Sequence, residues 1–324
     1  MHPALAAALG LICLLPLNAF AQSGKPAYPT RAVRVVIPFA PGGGADITAR
    51  TLSPLLAERL GQPVIIDNRP GASTIIGTEL VAKAAPDGHT LLLVTSTFTI
   101  NPSLHASLPY DTLRDLAPVS QVASTPYVLV VHPSLPIRSV KELIALARGK
   151  PGQVSYASVG NGSSTHLATE MLTSMARVSM IHVPYKGSAP ALAELIGGHV
   201  MMYLGSMPAS LPQARAGKLR ALAVTGSARS PAAPELPTIA ESGLPGYAFT
   251  AWYGVLAPGA TSDAIRERLA SEIRRAVEVK EVRTRLLADG SEPVGSTPEA
   301  FAAVIRDDIE RHRRIVQEAR IKPN

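Results

Sequence analysis

Two segments of this chain share one local pattern, and it restricts the fold more than any other feature of the sequence. The first runs Val33-Arg34-Val35-Val36-Ile37-Pro38-Phe39-Ala40-Pro41-Gly42-Gly43-Gly44-Ala45-Asp46. The second runs Val154-Ser155-Tyr156-Ala157-Ser158-Val159-Gly160-Asn161-Gly162-Ser163-Ser164-Thr165-His166. Each reads as a β-strand, a glycine-rich turn and the start of a helix. Glycine allows a ligand close to the backbone because no Cβ intervenes. The first helical turn leaves N–H groups free, at the positive end of the helix dipole. Two such loops predict a small acid held at two points. Neither loop carries an evident catalytic group.

The pattern repeats along the chain. Apolar strands are expected at Val33–Phe39, Leu91–Val94, Val128–Val131, Ile181–Val183, Val200–Leu204 and Arg220–Thr225. Helical spacing separates them, as in Ile47, Leu52, Leu55, Leu56 and Leu60, with Asp46 expected as the N-cap. Apolar strands alternating with helices predict an α/β fold with mainly parallel sheets flanked by helices. The two loops lie in separate α/β units, which predicts two lobes with a ligand cleft between them at the carboxyl ends of strands. Chain crossings are expected at Ser124–Tyr127 and Ala251–Tyr253. One lobe would then comprise residues 28–124 plus 251–324, and the other residues 125–250.

Composition narrows the partners. Only 4% of residues are aromatic and the formal charge of +7 is scattered, which argues against nucleic-acid binding. Residues 1–21 read as a signal peptide, with an apolar run over Ala4–Leu17 and a small-x-small site at Ala19-Phe20-Ala21. Export to the periplasm is therefore expected. The single cysteine, Cys13, falls inside that leader, so the mature chain would contain no thiolate or disulfide chemistry.

Enzyme signatures fail one by one. There is no Gly-x-Ser-x-Gly elbow and no Ser-x-x-Lys pair. No Gly-Lys pair is followed by Ser or Thr, so no P-loop is present. Gly42-Gly43-Gly44 misses the dinucleotide fingerprint because Ile47 occupies the third glycine position. The eight histidines show no metal-ligand spacing. Ser163 and His166 lie close in sequence, yet no third catalytic group accompanies them. No catalytic residue, metal or cofactor is expected.

Other short segments complete a recognisable set. They include Asp67-Asn68-Arg69-Pro70-Gly71-Ala72, Ala85-Pro86-Asp87-Gly88, Ile100-Asn101-Pro102-Ser103-Leu104 and Leu108-Pro109-Tyr110-Asp111. Later come Val183-Pro184-Tyr185-Lys186-Gly187, Leu219-Arg220-Ala221-Leu222-Ala223-Val224-Thr225 and Gly243-Leu244-Pro245-Gly246-Tyr247. With the two loops, and in this order, they resemble the Bug family, the periplasmic substrate-binding proteins of tripartite tricarboxylate transporters.

The resemblance implies a two-lobed, type II periplasmic-binding-protein fold that closes on a small organic acid. It implies ligand contacts from Phe39, Gly42, Gly43, Asp46, Ser96 and Thr97 in the first lobe. In the second lobe it implies Ser158, Asn161, Gly162, Ser163, His166, Tyr185 and Lys186. Implied partners are membrane transporter subunits or a membrane sensor kinase, with the protein itself a monomer. Three departures stand out. Ser73-Thr74-Ile75 replaces Gly-Gly-Asn. Phe98 replaces a common histidine. Gly205-Ser206-Met207-Pro208 replaces Asp-Asn-Leu-Pro. A cleft-facing Phe98, together with Met207, would make the rim apolar and favour an aromatic or alkyl acid over citrate or malate; core packing is the competing expectation for Phe98.

Overall fold

The computed structural model describes residues 28–319 and 321; the leader, its cleavage point and Cys13 lie outside the described residues. The first glycine loop joins β1 (Val33–Ile37) to α1 (Gly44–Leu60). Then come β2 (Val64–Asn68), α2 (Ile75–Ala82), β3 (Thr90–Thr95) and α3 (Thr97–Leu104). A long strand, β4 (Leu116–Val131), leads to α4 (Val140–Gly149) and β5 (Ser155–Ser158). The second glycine loop joins β5 to α5 (Ser164–Ala176). Next are β6 (Ile181–Pro184), α6 (Ser188–Ile196), β7 (Met202–Ser206), α7 (Met207–Arg215) and β8 (Arg220–Val224). The chain returns through β9 (Thr250–Pro258) to α8 (Asp263–Glu278), α9 (Lys280–Ala288), β10 (Glu292–Pro293) and α10 (Pro298–Glu318).

The outer strands are parallel, as the alternation of strands and helices requires. β1 pairs in parallel with β2 and β3, and β5 with β6 and β7. The central strands are not. β9 runs antiparallel to β3 and to β4, with Leu116 opposite Pro258 and Pro126 opposite Thr250. At Tyr127 the long β4 leaves β9 and pairs instead with β7 and β8. One 16-residue strand thus serves two sheets. Register shifts along its pairing with β9 bend the surface where it changes partners. The expectation of parallel strands missed this pair because β4 and β9 are long crossings rather than βαβ units.

Helix α10 closes the fold over both sheets. Its Phe301 and Ile305 pack with Val36, Leu92 and Trp252, and its Val316 packs with Tyr156, Leu167 and Leu204. Asp308 accepts the indole N–H of Trp252 at 2.7 Å. Phe98 belongs to the first of these groups and is fully buried. The cleft-facing expectation for Phe98 is therefore corrected. It is the second residue of α3, turned under α10, while Thr97 before it faces the second loop. Met207 is likewise fully buried in the core and is no rim residue. Asp46 also shifts from its expected place. Gly43 is the N-cap of α1, and Asp46 sits in the first turn.

Candidate functional site

The two glycine loops face each other across a narrow cavity of about 30 Å³. From the first side Phe39, Gly43, Gly44, Ala45 and Thr95 line it. From the second come Val159, Ser164, Thr165, Ser188 and Ser206, and the crossing strands add Tyr127, Ala251 and Tyr253. No charged side chain is among them. What the cavity has instead is helix ends. Gly44 and Ala45 open α1, Ser164 and Thr165 open α5, Ser188 opens α6, and Ser206 immediately precedes α7. Helices α1, α6 and α7 have no side-chain cap for their first-turn N–H groups, which have partial positive charge behind them, although Pro208 in α7 contributes no N–H.

These three helix ends abut. A Cβ placed on Gly43 would stand 3.5 Å from Ser188 Oγ, and one on Gly44 would stand 2.8 Å from Ser206 Oγ and collide with the Tyr253 hydroxyl. Glycine at 44 is therefore a requirement of space. Burial pushes the Tyr127, Tyr203 and Tyr253 phenols well above the usual range. All three stay protonated and can donate hydrogen bonds.

The loops also bond directly to one another. Thr97 Oγ1 lies 3.1 Å from Ser164 Oγ and accepts the Ser164 N–H at 3.1 Å. The Ala40 N–H donates to the Lys186 carbonyl at 3.0 Å. The Ser73 hydroxyl donates to the Asn161 carbonyl. Ser73 and Thr74 hold left-handed backbone angles, φ 47° and 81°, a conformation that favours glycine. The departure at 73–75 thus accepts backbone strain and gains a bond across the cleft. A second, outer cavity lies beside this clasp, lined in part by Ser73, His105, Asn161, Tyr185 and Lys186.

The residues implied by the resemblance divide into three groups. Phe39 and Gly43 line the inner cavity. Asn161, Tyr185 and Lys186 line the outer one. The others shape the loops. Asp46 Oδ2 accepts the Gly42 N–H and the Arg50 guanidinium, each at 3.0 Å. Burial raises the Asp46 pKa, but the bonds from Arg50, Gly42 and Asn68 outweigh it and hold the carboxyl below the usual range. Ser163 caps α5 by accepting the His166 backbone N–H at 3.3 Å. His166 Nδ1 accepts the Gly162 N–H at 3.0 Å, and Ser158 Oγ bonds His182 Nε2 at 2.6 Å. The two imidazoles stack with centroids 3.9 Å apart. Ser96 is fully buried.

Sequence reasoning did not name Tyr127, Ser164, Ser188, Ser206 or Tyr253 as cleft residues. A signal was present for two of them, because Tyr127 and Tyr253 fall in the segments expected to cross between lobes. Among the described residues no group of three or more His, Cys, Asp or Glu could hold a metal, and no helix is long and apolar enough to span a membrane.

A two-lobed α/β fold with opposed helix amino ends around a small neutral cavity defines a solute-binding protein of the periplasmic type. Comparison with known proteins gives the family. Residues 48–321 match the model of the tripartite tricarboxylate transporter family receptor, and the chain belongs to that family. Protein BugT of Bordetella pertussis is 41% identical over 297 residues, covering 91% of each chain. The structure of R. palustris Rpa4515 with adipate superposes with a TM-score of 0.89 at 38% identity, covering 92% of this chain and all of that one. MatC from Rhodopseudomonas palustris, with bound malate, gives 0.85 at 32% identity over 89% of this chain and all of that one. These relatives are substrate-binding proteins, and so is this chain; it is not an enzyme.

Proposed function

We propose that this protein captures a small organic acid in the periplasm by cleft closure and delivers it to a tripartite tricarboxylate-type membrane transporter. The observation that carries this reading is the meeting of three uncapped helix ends, α1, α6 and α7, at a cavity with no charged side chain. Backbone N–H groups and helix dipoles can balance a carboxylate there without a lysine or arginine. Relatives solved with adipate and malate support the same ligand class.

Closure follows from differential contact. Residues 28–124 plus 251–324 form one lobe in this reading and residues 125–250 the other, with residues 1–21 removed on export. A ligand touching both lobes stabilises only the closed form and shifts the population toward it. The test is a calorimetric titration with adipate and malate, combined with small-angle scattering. A reduced radius of gyration on saturation with either acid supports the reading. Absence of binding by both overturns it.

A further inference from the structure

The hydroxyls around the inner cavity are not equivalent. Most are already engaged. Tyr127 and Ser164 bond one another at 2.6 Å, and Thr95 donates to Thr97 at 3.0 Å. Thr165 Oγ1 accepts the Val159 N–H at 3.0 Å, and Ser188 Oγ accepts from Tyr203 at 3.0 Å. Two are left. The Tyr253 hydroxyl and Ser206 Oγ are buried, and among the described residues neither makes a hydrogen bond of ordinary length and angle; they interact only weakly with one another. Both stand over Gly44, at the uncapped start of α1. Ser206 also occupies the N-cap position of α7, yet its hydroxyl does not cap that helix. Serine at an N-cap ordinarily bonds the second or third N–H of its own helix.

A buried hydroxyl without a partner is costly, so a pair of them facing one cavity marks a place that a ligand completes. We propose that Tyr253 and Ser206 determine the specificity of this cleft by seating one carboxylate of the ligand over Gly44. Each hydroxyl donates to one carboxylate oxygen, and the first N–H groups of α1 complete the seat. The remaining walls are Phe39, Ala45, Val159 and Ala251, all apolar. A hydroxyl on the ligand body would find no unengaged side-chain hydroxyl there other than the two beneath the carboxylate. The class of ligand is therefore an acid with an unsubstituted hydrocarbon body, and hydroxy acids are disfavoured. This inference rests on the carboxylate-binding reading above and adds which end is held, by what, and which acids are rejected.

The test titrates the purified protein and the variants Tyr253→Phe and Ser206→Ala with adipate, hexanoate and malate. The wild type should bind adipate at least about tenfold more tightly than malate. Each variant should lose about tenfold or more in affinity for adipate and hexanoate alike. Ser206→Thr, which keeps the hydroxyl, should restore most of the affinity. In the ligand-free state both losses of hydroxyl should leave the melting temperature unchanged or raise it, whereas a purely structural role would lower it. Wild-type affinity for adipate in both variants overturns the proposal, and so does a preference of the wild type for malate. If the wild type binds none of the three acids, the carboxylate reading itself fails and this inference with it.

Discussion

Thr97 and Ser164 lie 67 positions apart in the chain, and the Thr97 hydroxyl bonds both the Ser164 hydroxyl and the Ser164 N–H, each at 3.1 Å. The pair fastens the start of α3 to the start of α5 and so joins the two sides of the cleft. Neither bond involves ligand, and under the cleft-closure proposal both would break when the two sides part. Thr97→Val keeps the shape and removes the bonds. Acid affinity should fall about tenfold, the value of one to two hydrogen bonds. Small-angle scattering of the ligand-free variant should show a larger radius of gyration than the wild type. An unchanged affinity and radius would exclude Thr97 from closure.

Ser73 gives a change with two opposite effects. Its left-handed backbone angle is unfavourable for a residue with a Cβ, and its hydroxyl reaches the Asn161 carbonyl across the cleft. Ser73→Gly relieves the strain and removes the bond. The expected result is a melting temperature raised in line with about 1 kcal/mol, together with a several-fold weaker acid affinity. Thermal denaturation and calorimetry on one sample read both effects.

Phe98 is buried with Trp252 and Phe301 beneath α10. Phe98→His should therefore act on stability. A buried aromatic replaced by a smaller polar ring costs about 3 kcal/mol or more. The adipate-to-malate affinity ratio should stay at its wild-type value. A changed ratio without loss of stability would return Phe98 to the cleft.

Ser163 caps α5, so Ser163→Ala should lower stability by about 1 kcal/mol, the usual value of an N-cap. Denaturant unfolding measures this loss. Affinity should fall less than for Ser206→Ala, because the Ser163 hydroxyl is held by the His166 N–H.

The stacked imidazoles set a pH dependence. Burial pulls His166 down to about 3, with the adjacent His182 adding to the effect, and burial pulls His182 down to about 4. An unfolded histidine titrates near 6.5. Between these values the unfolded chain binds more protons than the folded one, so stability rises with pH. The contribution is complete above about pH 6.5 and is lost progressively as the pH falls toward the folded values. Melting temperatures measured from pH 7.5 to 4 should decline, and less steeply in the double variant His166→Gln, His182→Asn. Identical slopes would remove the pair as the cause.

The alternation of strand and helix was legible in residue order, because apolar runs and helical spacing are local properties. The strands around both glycine loops lie where the spacing placed them, to within a few residues. The helices α3, α7 and α9 were not legible. Pro102 interrupts the first and Pro212 the second, and the third is short, with four charged residues among nine. Tertiary packing stabilises each one where local propensity does not.

The sequence by itself determined the fold class, the family, and the two places where backbone would face a small acid, because glycine turns and helix starts are written in consecutive residues. Only the tertiary structure decided which hydroxyls meet there. Ser163 and Ser206 both precede a helix, and nothing local separates them. In the fold one bonds its own helix, while the other leaves its helix uncapped and turns toward Tyr253 without a well-formed hydrogen bond. Phe98 was undecided for the same reason: its direction depends on α10, which begins 200 residues further along the chain. A hydrogen bond to a carboxylate depends on where side chains from distant segments converge, and that convergence is a property of the packed molecule.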